Sequence, residues 1–429
     1  MKHQYLLRKR AFSGLVLFVL IAASLSAAYS QSAVPSPREE KLLNGLKLLM
    51  FDAPTSDKVT LKVRIHAGSA FDPQGKEGLM KLLAANVFPN PEASEYFADQ
   101  LGGSLGVESN YDYIQITATS SPDKVVSMIE TVANAVVKME NDKETTAKLK
   151  DAQLKRLSKV SNDPSYIADQ AAAARLLGAF PYGRPEDGTV ASINKIDFAD
   201  LVGARQRFFT ADNATVAVSG KFDRTIAFRA VRRYFGAWLK ADKLVPSTFR
   251  QPDDPPAGVQ VLDSPQADRF EVRFTTRGTS RSSNDFAAYR MAAEVMESRL
   301  KAMLPAEVSA PVSVASIDHV LPGIFMIRFS GTKGAAETKI EANDVVSKAL
   351  SAPVSDTEFQ AAKQAVVSEL NKEDVVDTWL DADTFRTEPP SKFYARASGT
   401  SLVDVQSVLS RVQRQPIASV VVSIARASN

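Results

Sequence analysis

The chain repeats itself. Gly45 through Gly68 runs strand, an Asp52-Ala-Pro turn, a second strand and then Gly-Ser; Gly258 through Gly278 runs strand, an Asp263-Ser-Pro turn, a second strand and then Gly-Thr. Further along, Tyr113–Ala118 leads into an amphipathic helical pattern over Val125–Val137, and Phe325–Ser330 leads into another over Thr338–Leu350. Both pairs share one order and one offset of about 210 residues, so duplication explains them better than chance likeness. A duplicated unit that mixes alternating strands with 3.6-period helices predicts an α+β chain of two homologous domains. Each would be an antiparallel-rich sheet with helices packed on it.

The repeats are separated by a stretch over 241–257 that holds Pro246, Pro252, Asp253, Asp254, Pro255 and Pro256 and few apolar residues, which is linker composition. It divides the mature chain into domains over 31–240 and 258–429. In the first, residues 31–39 are polar and read as a loose N-terminus, with structure beginning near Leu42. Asp163-Pro164 reads as a helix start, with Asp as N-cap and Pro at the first helical position. Asp223 caps a further helix toward Tyr234, Thr215–Ser219 is a short buried strand, and the charged Lys143–Lys159 segment is a solvated helix.

Residues 1–30 read as a secretory signal peptide. Lys2, Arg8, Lys9 and Arg10 form a basic start, Leu15–Ala23 an apolar run, and Ala28-Tyr29-Ser30 a small-x-small cleavage site before Gln31, with Ser26-Ala27-Ala28 as the second choice. The apolar run is shorter than the ~20 residues a spanning helix needs, so the expectation is an exported, periplasmic protein with no membrane contact beyond the leader. The whole chain has Lys+Arg 52 and Asp+Glu 49, but the leader holds four of the bases and no acid, which leaves 48 against 49. That balance gives no footprint for nucleic acid. The sequence has no cysteine and three histidines, His3, His66 and His319. Thiolate chemistry and cysteine metal sites are excluded, and no cofactor is expected. His66, at the end of an alternating strand, reads as a structural histidine. Asp318 and His319 are neighbours on an extended segment and face opposite ways.

The most informative stretch is Ala67-Gly-Ser-Ala-Phe-Asp72-Pro-Gln-Gly75-Lys-Glu-Gly78-Leu-Met-Lys81-Leu-Leu-Ala84-Ala85-Asn-Val-Phe88. It resembles the start of the insulinase/pitrilysin family of zinc metallopeptidases, which includes the mitochondrial processing peptidases. There a Gly-Ser strand end leads through Gly-Leu-Ala into the inverted zinc signature H-x-x-E-H. Gly102-Gly103-Ser104-Leu105, the Phe180-Pro-Tyr-Gly-Arg-Pro185 segment with Gly188, and the strand from Thr215 to Gly220 carry the same resemblance, as does the two-domain repeat. The resemblance implies a half-chamber of the metallopeptidase type. It also implies that Lys81 stands at the first zinc histidine, Ala84 at the glutamate, Ala85 at the second histidine and Arg156 at the distal glutamate. Alanine offers no lone pair to zinc, and ammonium and guanidinium groups are donors only. An Arg/Tyr pair that holds substrate backbone in many relatives falls, after Arg299-Leu300, on Pro305 and Val312.

No catalytic residue and no metal site are therefore expected in this chain. The family's sheet-edge segment, which takes up extended peptide by strand addition, falls on Gly103, Ser104, Leu105, Gly106 and Val107. The resulting expectation is a non-catalytic subunit that forms a heterodimer with a zinc-bearing homologue and helps to enclose and position extended peptides. A stand-alone scaffold or binding protein without proteolytic role is the alternative. A zinc metalloendopeptidase with atypical ligands ranks last, because histidine is so scarce.

Overall fold

The structure is a computed structural model and describes residues 34–241, 249–264, 269–304, 312–331 and 335–424. The leader with its cleavage point, and Pro305, lie outside the described residues.

In chain order the first half contains β1 (Arg38–Lys41), β2 (Lys47–Asp52), β3 (Val59–Ile65), α1 (Leu79–Ala85), α2 (Glu92–Asp99), β4 (Leu105–Ser109), β5 (Ile114–Ser120), α3 (Val125–Val137), α4 (Lys143–Val160), α5 (Pro164–Leu177), α6 (Val190–Lys195), α7 (Phe198–Phe208), β6 (Ala214–Gly220) and α8 (Arg224–Phe235). The second half contains β7 (Val259–Ser264), β8 (Phe270–Arg277), α9 (Phe286–Met303), β9 (Val312–Ile317), β10 (Ile324–Gly331), α10 (Ala335–Ser351), α11 (Asp356–Leu370), α12 (Val375–Phe385), α13 (Pro390–Ser398), α14 (Leu402–Arg414) and β11 (Ala418–Ile424).

The repeat is visible in the topology. One sheet runs β1-β2-β6-β3-β5-β4 and the other β7-β11-β8-β10-β9. In each, one pair is parallel, β2 with β6 and β7 with β11, and the other pairs are antiparallel. Among the described residues β1 alone lacks a counterpart. It also corrects the expectation of a loose segment to residue 39, because Arg38 already pairs with Met50. Local signals set the helix starts as expected: Asp163 accepts from Ser165 N at 2.8 Å with Pro164 behind it, and Asp223 accepts from Ile226 N at 2.9 Å.

β2 reads Lys-Leu-Leu-Met-Phe-Asp, with its four central residues buried. Such a run belongs to a strand covered on both faces. Leu48 and Met50 point into the main core of their half, while Leu49 and Phe51 meet Val376 and Leu380 of α12. In the other sheet Phe325, Ile327 and Phe329 face their own core, while Ile324 and Met326 meet Ala172, Ala173 and Leu176 of α5. Each half therefore lends one helix to cover the back of the other's sheet.

Charge follows the same exchange. Arg64 of β3, its side chain 1% exposed, pairs with Asp377 and Asp381 of α12, and Lys62 reaches Asp377 at 2.7 Å. Arg273 of β8, also 1% exposed, pairs with Asp169 of α5 at 2.5 Å and with Glu271 at 2.9 Å. A buried guanidinium needs such partners to offset its lost hydration.

Candidate functional site

α1 is positioned from its N-terminal side. Asp72 accepts from Gly78 N at 2.7 Å and from Met80 N at 2.8 Å, satisfying amides that the first turn leaves unpaired. Gly78 has φ +94°, and a Cβ there would lie 2.9 Å from Asp187 O; Gly188 has φ +76°, and a Cβ there would lie 2.2 Å from Glu77 O. These two glycines let the 186–188 loop press against the start of α1. That contact brings Glu186 and Asp187 onto Lys81.

Lys81 Nζ lies 3.3 Å from Asp187 Oδ1, 3.4 Å from Glu186 Oε1 and 3.3 Å from Ser109 O. Arg156 of α4 donates to the same Asp187 Oδ1, and Gln153 Nε2 donates to Asp187 O at 2.8 Å. Burial raises the Glu186 carboxyl above its usual range, opposed by Lys81. Ala84 is buried in the apolar core at 4% exposure and Ala85 is exposed. Of the positions assigned by resemblance, Lys81 and Arg156 meet over one carboxylate.

These groups do not fit zinc. The two carboxylates face cations, the His319 imidazole that also acts on Glu186 is itself paired with Asp112, and among the described residues no group of three His, Asp or Glu side chains could hold a metal ion. Ala84 cannot act as a general base. What the arrangement does provide is a charge-compensated plug between α1, α4 and the 186–188 loop.

Among the described residues β4 is the edge of its sheet and pairs only with β5. Thr119 N donates to Ser104 O at 2.8 Å and Asn110 N to Tyr113 O at 3.0 Å, one at each end of the ladder. Antiparallel alternation then turns the backbone groups of Leu105, Val107 and Ser109 outward, and Lys81 takes the Ser109 carbonyl. Gly103 has a structural reason of its own, since a Cβ there would lie 1.9 Å from Thr119 O, and Ser104 Oγ bonds Thr119 Oγ1 at 2.9 Å. A Cβ on Gly106 would meet nothing within 4 Å. Of the five residues named from sequence, Leu105, Gly106 and Val107 form the open part of the edge.

The histidines are structural neighbours of this region rather than ligands. His66 Nδ1 and Nε2 each lie 3.0 Å from a threonine hydroxyl, of Thr384 and Thr215, and burial pushes the ring down to about 4. His319 pairs with Asp112 at 2.6 Å and stacks on Tyr182, which donates to Asp112 at 2.9 Å. Asp318 turns the other way, to Arg281 and Arg290. Val312 is a buried core residue at the start of β9. Sequence reasoning missed Glu186, Asp187 and Asp112. The acidic pair before Gly188 was the available signal.

The family profile described as Insulinase (Peptidase family M16) matches residues 47–185, and that described as Peptidase M16 inactive domain matches residues 195–366. An uncharacterised zinc protease of Mycobacterium bovis is 23% identical over 213 residues, or 48% of this chain and 49% of that protein. By such matches the chain spans about half the length of the curated relatives it matches. The crystal structure of a peptidase M16 inactive domain from Pseudomonas fluorescens superposes with a TM-score of 0.80 at 20% identity, over 92% of this chain and 99% of that one. The periplasmic protease PqqL from Escherichia coli gives a TM-score of 0.72 at 12% identity, over 92% of this chain and 48% of that one. At these identities the structural likeness speaks for the fold.

Proposed function

The chain belongs to the insulinase/pitrilysin (M16) peptidase family, and from that premise we propose that it is a non-catalytic member that pairs with a zinc-bearing homologue to enclose and position extended peptides. The observation that carries this reading is the cluster of Lys81, Arg156, Glu186 and Asp187. Its charges compensate one another where the family's metal chemistry would be housed, while the helix, loop and sheet around it keep their packing.

Two further observations support it. The outward-turned groups of Leu105 and Val107 offer an edge on which an extended peptide can add as a strand. The fold of this chain also corresponds to about half of PqqL, as expected for one half of a two-part chamber. On the same reading the chain is exported and loses its leader after Ser30.

The test is to mix the exported chain with a homologue of similar length that carries an intact H-x-x-E-H signature. Co-elution as one heterodimer, together with faster peptide turnover than by the homologue alone, is the expected result. Two separate peaks with unchanged turnover would replace this reading with that of a stand-alone scaffold.

A further inference from the structure

The turn between β1 and β2 lies toward the sheet edge opposite β4, and together with helix α8 it forms a second surface. The segment Lys221–Lys240 carries six basic residues and one acidic residue, Asp223. From position 31 on the sequence has 48 bases and 49 acids, and without this segment it has 42 against 48. One helix and its flanks thus concentrate positive charge on a chain that is otherwise acidic. The nearby acids have partners of their own: Asp223 caps α8, Asp52 pairs with Arg224, and Asp212, beside Gly45 of the turn, accepts from Ala241 N at 2.9 Å. Arg229, Arg232 and Arg233 are exposed and make no ion pair with any described residue.

The helix dipole alone would account for Arg232 and Arg233 near the C-terminal end. It does not account for the apolar residues among them. Leu43, at the tip of the β1–β2 turn, is 107% exposed, Leu239 is 78% exposed and Ile226 is 49% exposed. The turn is fastened to the end of α8 by Asn44, whose Nδ2 donates to Phe235 O at 2.9 Å and to Trp238 O at 3.2 Å. Leu43 and Leu239 are each next in the chain to a residue of that clasp. Phe235 and Trp238 fill the core beneath, so the leucines are left to project.

Arg232 lies over the Phe228 ring and Arg233 over the Tyr234 ring, and neither has a carboxylate partner among the described residues; such arginines together with projecting leucines match an anionic lipid interface. The apolar side chains can enter the acyl boundary while the guanidinium groups remain at the phosphates. We propose that α8 and the β1–β2 turn dock this protein peripherally on a bilayer rich in anionic phospholipid. No helix among the described residues is long and apolar enough to cross a membrane, and none is needed. The expectation of no membrane contact beyond the leader rested on spanning length; a surface assembled from separate segments leaves no such signature in the sequence.

Protein purified from the exporting host is sedimented with vesicles of phosphatidylglycerol and phosphatidylethanolamine, and with vesicles of phosphatidylcholine alone. Binding to the anionic vesicles should be about tenfold tighter or more, and should weaken as salt rises from 0.1 to 0.5 M, where charges are more closely screened. The triple variant Arg229→Glu, Arg232→Glu, Arg233→Glu should lose about tenfold or more in affinity while staying folded, with only the small drop in unfolding midpoint that acidic residues at a helix C-terminus cause. The matching triple change to Lys should retain binding, since a fluid lipid surface reads charge rather than guanidinium geometry. The pair Leu43→Ser, Leu239→Ser should weaken the binding that survives high salt. Equal binding to both vesicles, no binding to either, a Glu variant that binds like the parent, or a Lys variant that fails would each overturn the proposal, the last by pointing to a protein partner.

Discussion

Asp187 Oδ1 lies 3.3 Å from Lys81 Nζ while also accepting from Arg156. A zinc ion restored here would have to displace that bridge and lie beside a guanidinium. At roughly 5 Å and an effective dielectric near 20, each unit of charge on the ion is repelled by about 3 kcal/mol. The triple variant Lys81→His, Ala84→Glu, Ala85→His should therefore bind zinc about a hundredfold or more weakly than a quadruple variant that adds Arg156→Glu. Competition with a chromophoric chelator measures the difference. Tight binding by the triple variant would remove Arg156 from the distal position.

The exchange of α5 and α12 makes the halves depend on one another. Asp169→Ala leaves Arg273 buried with Glu271 as its remaining ion-pair partner, at a cost of about 2–3 kcal/mol. Urea denaturation should show that loss as a shift of a single transition that spans both halves. Two separate transitions, with only one of them shifted, would contradict the coupling.

How much of this was legible beforehand depended on range. Asp163-Pro164, Asp223 and the Val125–Val137 period act within a turn or two of chain, and the helices start or run where those residues place them. The duplication was legible because its strand–turn–strand units repeat in order, although in each a later strand, β6 or β11, inserts between the two. β1 was not, because Arg-Glu-Glu-Lys at a sheet edge pairs without burying side chains. The exchanged helices left only a hint, the doubly buried Leu-Leu-Met-Phe of β2. His319 finds its acid in Asp112, 207 residues away, not in its neighbour. The plug at Lys81 needed the approach of Gly78 and Gly188, which no local pattern reports.

Glu358 should show the acid sensitivity of the second half. Two hydrogen bonds from buried Arg299, at 2.6 and 3.0 Å, hold its carboxyl down to about 2. A carboxyl lowered in the folded state adds stability above its unfolded value near 4.5 and loses it as pH falls toward 2. Glu358→Gln should therefore cost about 2–3 kcal/mol at pH 7. The gap to the parent should narrow between pH 4.5 and pH 3 in denaturant titrations; a gap constant over that range would contradict the assigned pairing.

The open edge is tested by two prolines. Val107 N–H points away from β5, so Val107→Pro should spare the ladder and reduce extended-peptide binding about tenfold in fluorescence polarisation. Gly106 N–H points toward β5, so Gly106→Pro should lower the unfolding midpoint instead. Unchanged peptide binding in the Val107 variant would leave β4 as a structural edge.

The most direct measurement is peptide turnover by a zinc-bearing homologue at fixed concentration as this chain is added. Turnover should rise and saturate near one chain per homologue, and the chain alone should cleave nothing. A flat titration, or cleavage by the chain alone that a chelator abolishes, would contradict a non-catalytic, substrate-positioning subunit.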